Sequence, residues 1–162
     1  ATWHAIGAKI ASYASPHTGV ENPDVYRRWE GLARYKANYD GSFNYKLYTQ
    51  LHPTLYEKQK VNTWNDSTSK SFRGFNMIYL TRNGPIDTIA WEGFREAIDD
   101  VRYATLLKQR IKAAEESGNY KARQYGRKML IWLETTDMEK ADLNAVRKEI
   151  IHAILELDRL MK

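Results

Sequence analysis

The sequence predicts an α/β protein in two parts, a strand–helix–strand unit followed by a helical subdomain. Three observations carry that expectation. Residues 8–47 run through an apolar stretch, a loop, a capped helical segment, a tight turn and a second alternating stretch. From Ile86 onward apolar residues recur at intervals of three and four, the helical period. Most of the 11 Tyr and 5 Trp fall before residue 105, so the last third is plainer in composition. These features divide the sequence into residues 1–82, with a long loop at 50–74, and a helical subdomain at 83–162.

Ala8 to Tyr13 reads as a short strand, closed by the Ser15-Pro16-His17-Thr18-Gly19 loop. Asn22-Pro23-Asp24 is a helix start: Asn22 can cap, Pro23 suits the first turn, and Asp24 suits the positive end of the helix dipole. That helix is expected to reach about Asn38, where Tyr39-Asp40-Gly41 breaks it. Ser42 to Leu47 then alternates as a second strand, with Phe43 and Tyr45 on one face. A strand, helix and strand joined this way form a βαβ unit, which implies a parallel pair. Residues 50–74 are polar, interrupted by Pro53, and read as a long irregular loop. Phe75 to Leu80 suits a third strand.

Asn83-Gly84-Pro85 reads as a turn feeding a long helix from Ile86 to about Ser117-Gly118, where glycine is a natural stop. On that helix Trp91, Arg95, Asp99 and Arg102 share a face and can pair along it. Phe94, Ala97, Ile98, Val101 and Ala104 form the adjoining apolar stripe. Two further helices are expected, from Tyr120 to Leu133 and from Asp142 to Leu160. The last carries a continuous stripe of Leu143, Val146, Ile150, Ile154 and Leu157. Arg27, Arg28, Glu96 and Asp100 are assigned, with Arg95, Asp99 and Arg102, to structural ion pairing. Trp91 and Tyr103 are expected to pack the long helix against the rest of the fold.

At 162 residues with 43% hydrophobic content, the polypeptide is long enough to bury a core. No run approaches the roughly 20 apolar residues of a membrane span, so no membrane partner is expected. There is no cysteine, which excludes disulfides and thiolate metal sites and leaves the compartment open. His4, His17, His52 and His152 lack ligand spacing, so neither metal nor cofactor is expected. The net charge of +5 is uneven: residues 1–80 carry 10 basic against 6 acidic groups, residues 81–162 carry 15 against 14. Because acids interleave the bases and no basic block occurs, nucleic acid is not a favoured partner.

Read in order, several groups of residues resemble the C-terminal end of a glycoside-hydrolase-like (β/α)8 barrel with its helical tail. The groups are Tyr13 and Pro16, Arg27-Arg28-Trp29, Tyr39-Asp40-Gly41 with Phe43-Asn44-Tyr45, Asn62-Thr63-Trp64-Asn65-Asp66, and Tyr79-Leu80 before Gly84-Pro85-Ile86, with Glu92 to Tyr103 behind. The resemblance is to the domain at the end of β-N-acetylgalactosaminidase-type and related uncharacterised bacterial carbohydrate-active proteins, and covers roughly residues 6–110. It implies the last β/α units of a TIM-type barrel followed by a three-helix subdomain. It also implies a glycan or small carbohydrate ligand, an N-terminal barrel portion of the same protein as partner, and an extracellular or periplasmic setting. Two or three parallel strands leave edges unpaired, so either further strands lie outside this sequence, the simpler reading and the one that agrees with the resemblance, or the sheet pairs with another copy.

In such barrels ligands bind at the C-terminal ends of the strands, which points to Tyr13–Gly19 and Tyr45–Asp66. Trp64 is the leading sugar-stacking candidate, since nothing from Asn62 to Lys70 gives an indole a local core. Tyr13 and Tyr45 end strands and offer ring faces and phenols; as plain core aromatics they would serve equally well. His17, Asn65 and Arg73 could hydrogen-bond hydroxyl or acetamido groups, although a loop histidine is commonly just solvent-facing. Glu21 and Asp66 are the weak candidates for a carboxylate pair of the glycosidase kind. Glu21 is as well explained by the nearby helix start, and Asp66 by an Asx turn. No stretch matches the family's acidic pair, so this sequence is expected to carry part of a sugar site but not its catalytic carboxylates. Two other readings stay open: a non-catalytic helical module that docks a partner protein, and a basic domain that stacks nucleic-acid bases on Tyr and Trp.

Overall fold

Helix caps set the frame of the C-terminal half. The computed structural model describes residues 2–13, 22–43, 47 and 77–162. Three long helices occupy Ile89–Glu116 (α4), Tyr120–Thr135 (α5) and Leu143–Leu160 (α6). Each begins on a capping side group. Thr88 accepts from the Trp91 amide at 3.2 Å, Asn119 from Lys121 and Ala122, and Asp142 from Asn144 and Ala145. Gly118, at φ +74°, ends α4 in the left-handed conformation that glycine adopts without a Cβ penalty.

The three helices close into a bundle. The Asn119 side-chain amide donates to the Leu160 carbonyl at 2.7 Å, which brings the end of α6 to the start of α5. Arg147 reaches Asp100, and Arg110 lies 2.7 Å from Asp158, so α4 and α6 run parallel and α5 runs back between their ends. The expected stripe of α6, Leu143, Val146, Ile150, Ile154 and Leu157, is buried throughout and meets Leu107, Ile111, Met129 and Leu133.

The N-terminal half is mixed. After a short helix, Thr2–Ala5 (α1), strand Ala11–Tyr13 (β1) leads to helical segments Pro23–Arg27 (α2) and Ala33–Lys36 (α3), joined by a π-helical turn at Arg28–Leu32. Asn22 caps α2, Pro23 stands in its first turn and Asp24 follows, as expected. Asn38 ends α3 at φ +64°. Strand Gly41–Phe43 (β2) pairs with β1 in parallel, Ala11 opposite Gly41 and Tyr13 opposite Phe43. The βαβ unit is therefore present, although residues 8–10 are not strand and residues 44–46 lie outside the described residues. A second small sheet is an antiparallel hairpin of Ile78–Thr81 (β3) and Gly84–Asp87 (β4). The architecture is mixed α/β, predominantly helical, with two two-stranded sheets among the described residues.

Three expectations need correction. The long helix starts at Ile89, not Ile86: Arg82-Asn83 is a two-residue hairpin loop, Pro85 sits in β4 opposite Leu80, and Thr88 supplies the cap. Ile98 is exposed, because α4 buries a stripe of small residues, Ala90, Gly93, Ala97 and Ala104, displaced from the expected one. Arg28 has no ion-pair partner among the described residues; its guanidinium donates to the Met138 and Ala141 carbonyls at 2.9 Å each.

Small residues on α4 permit a close crossing. A Cβ built on Gly93 would lie 2.2 Å from the Pro23 carbonyl oxygen, and one on Gly31 would lie 3.1 Å from the Ala97 Cα. At Gly31 the backbone leaves helical geometry within the π turn. Beside this crossing lies a buried charge network. Arg27 grips Asp100 with two donors, at 2.7 and 3.2 Å, and donates to Asn144 and to the Leu143 carbonyl. Arg147 approaches the same carboxylate from the other side and also pairs with Glu96. Burial works to lower the Arg147 pKa, but Asp100 and Glu96 outweigh it and hold the pKa above its ordinary value. Arg95–Glu92 and Arg102–Asp99 pair along the exposed face of α4.

Candidate functional site

The parallel pair has a polar and an aromatic face. The Ser42 hydroxyl donates to Glu30 in the π turn, so Ser42 points toward the helical layer. Strand neighbours alternate, which turns Gly41 and Phe43 to the opposite face. A Cβ on Gly41 would lie 3.9 Å from the Ala11 Cβ, as expected for in-register residues on one face. Tyr13, paired with Phe43, shares that face. Tyr13 is 58% and Phe43 62% exposed, so both rings stand free at the C-terminal ends of their strands. Trp3, Ile6 and Leu47 are also exposed large apolar residues of this half.

At the other end of the pair a polar knot holds α1. The Asp40 carboxylate accepts from the Ile10 amide at 2.7 Å and lies 2.8 Å from His4 Nε2. The second imidazole nitrogen lies 3.0 Å from the Asn38 side-chain amide nitrogen. The Ile10 amide and His4 hold the Asp40 pKa below its ordinary value. Nearby, a small cavity of about 90 Å³ is lined by Glu30, Arg34, Tyr39 and Ser42. A groove of about 250 Å³ runs between Tyr35, Lys36, Lys108 and Met138. Its two amines already have partners: Lys36 donates to the Thr136 carbonyl and Lys108 sits over the Tyr35 ring at 4.8 Å.

Of the residues selected from sequence, the structure places Tyr13, at the free C-terminal end of β1. Tyr45, His17, Glu21, Trp64, Asn65, Asp66 and Arg73 lie outside the described residues, as does the loop at 50–74. Phe43 is not among the sequence candidates, although its place at a strand end in register with Tyr13 makes the two a pair. The signal for it is its place in the second alternating stretch, where it shares a face with Tyr45. Trp91 packs with Val25 and Phe94 around Tyr26, Met77 and Ala90, a packing role as expected. Tyr103 is 37% exposed and lies under the Arg147 guanidinium, its ring centre 6.0 Å from the guanidinium carbon.

Among the described residues, no group of three His, Asp or Glu side chains could hold a metal ion, and no helix is long and apolar enough to cross a membrane. No family model, curated protein or solved structure matches this sequence.

Proposed function

We propose that this polypeptide is the closing part of a glycoside-hydrolase-like (β/α)8 barrel, in which it contributes to the sugar-binding rim while its helical bundle braces the barrel. The observation that carries the reading is the parallel pair β1–β2, with Tyr13 and Phe43 in register on the face turned away from the helical layer. In a β/α barrel helices coat the outside, so side chains turned away from them face the interior. Their position at the C-terminal strand ends is the active mouth of such barrels. There, exposed rings offer flat apolar faces to the C–H surface of a pyranose. The βα helix is joined to the bundle through Arg27, Asp100 and Arg147, the kind of rigid connection a brace requires.

The test is a calorimetric titration of the intact protein with an N-acetylgalactosaminide, comparing wild type with Tyr13→Ala and Trp64→Ala. Loss of one stacking contact, about 1.4 kcal/mol, should weaken binding about tenfold, with the unfolding midpoint unchanged. Wild-type affinity in both folded variants would sink the proposal. Binding that collapses as salt is raised would point to a nucleic-acid ligand instead.

A further inference from the structure

The hairpin loop carries chemistry that the sugar reading does not use. Of the nine asparagines in the sequence, Asn83 alone is followed by glycine. It is exposed at the tip of the two-residue loop between β3 and β4. Gly84 has φ +120°, and a Cβ built on it would meet nothing within 4 Å, so the Cα side of this residue, next to the Asn83 amide group, is uncrowded. A residue without Cβ also gives its peptide the widest freedom to turn toward that group.

We infer that Asn83 is a site of spontaneous covalent modification in the folded protein. Hydroxide removes the proton from the Gly84 main-chain nitrogen, which attacks Cγ of Asn83. A new N–Cγ bond forms, the Cγ–Nδ2 bond breaks, and ammonia departs with a proton from water, leaving a cyclic imide. Water then adds to one of the two imide carbonyls and opens the ring to an aspartyl or an isoaspartyl residue. No electron transfer and no cofactor are involved. Either product replaces a neutral amide by a carboxylate and lowers the net charge from +5 by one unit.

The isoaspartyl product has a structural consequence. It adds a methylene to the backbone inside a loop whose flanking residues, Thr81 and Gly84, are paired. The Thr81 hydroxyl donates to the Gly84 carbonyl at 2.7 Å and accepts from the Asn83 amide at 3.2 Å, and both contacts depend on the native loop length. The hairpin ends one residue before Thr88, which caps α4 and binds the Met77 carbonyl. Lengthening the loop should loosen the hairpin toward that cap.

The experiment ages the intact protein in mildly alkaline buffer and follows it by charge-variant chromatography and peptide mapping with fragmentation that separates aspartyl from isoaspartyl. The expected result is an acidic shift of one charge, mapped to residue 83 ahead of every other asparagine, and absent in Asn83→Gln, whose longer side group disfavours ring closure. Retention of the amide in folded protein, while a urea-unfolded sample loses it, would overturn the inference. So would an acidic shift that persists at the same rate in Asn83→Gln.

Discussion

Where α4 meets α6 the buried contact is made mainly by branched aliphatic residues, Leu107, Ile111, Ile150 and Leu157, with Arg147 reaching Asp100 at one end. Where α4 meets α2 the same helix offers a glycine to a proline backbone and a carboxylate to an arginine. The first contact follows from periodic burial of apolar area and tolerates small changes of volume. The second depends on shape and charge at single positions. One helix thus presents a generic and a specific surface, and the specific one holds the βα unit that bears Tyr13 and Phe43. Accuracy is needed there, because among the described residues the strand pair adds none to the two buried apolar clusters and takes its position from the helix behind it.

The sharpest way to break the specific contact is Asp100→Ala. Asp100 is fully buried and faces both Arg27 and Arg147. Removing it leaves one guanidinium buried and a second half-buried without this counter-charge, which should cost about 3–5 kcal/mol of unfolding free energy. Urea denaturation measures the loss, and Asp100→Asn, which keeps an acceptor, should lose less. A cost under about 1 kcal/mol would class the network with surface pairs and remove the distinction between the two contacts.

Much of this is legible in the residues, and the exceptions have physical causes. The α6 stripe repeats over several turns, so each residue reinforces the register of the next, and burial follows the pattern. Caps are read from adjacent positions, which is why Asn22 and Gly118 fall where expected. The hairpin is hidden from a local reading because Gly84-Pro85 fits a helix entry as well as a strand pair; the choice depends on β3, which lies across the loop. Ile98 departs from the expected stripe because a helix that packs closely buries its smallest residues rather than its most apolar ones. Asp100 is expected in ion pairing, but local spacing does not show that its partners lie on α2 and α6. Of the sugar-site candidates only Tyr13 falls among the described residues, and its pairing with Phe43 requires a register between strands about thirty positions apart.

A second variant tests shape rather than charge. In Gly93→Ala the new methyl would sit 2.2 Å from the Pro23 carbonyl oxygen and 2.8 Å from its Cα. Both are backbone atoms, so α2 must move away from α4. Overpacking of this kind costs about 1–3 kcal/mol, against which alanine recovers about 1 kcal/mol of helix propensity. The net effect should be destabilising, and loss of amide-exchange protection should concentrate in α2 and β1 while the bundle stays protected. Uniform loss across α5 and α6 would mean that the two contacts fail together.

The mildest test concerns the polar knot at the start of the strands. Asp40 has a native pKa below its ordinary value of 3.8, chiefly through the Ile10 amide and then His4. A carboxyl group whose pKa falls on folding binds fewer protons in the native state, so stability rises with pH across the interval between the two values. Its contribution is complete above the unfolded pKa and disappears as pH falls through the native one. Glu115 shifts in the same direction through Arg127, but on the bundle, and provides a control in the other region. Asp40→Asn should flatten the acid arm of the stability curve below about pH 4, as read from signals reporting on β1 and α1. Glu115→Gln should flatten it for signals from α4 and α5. If both substitutions flatten the same signals equally, the βα unit and the bundle unfold as one body, and the contrast between their contacts concerns how they are built and not how they come apart.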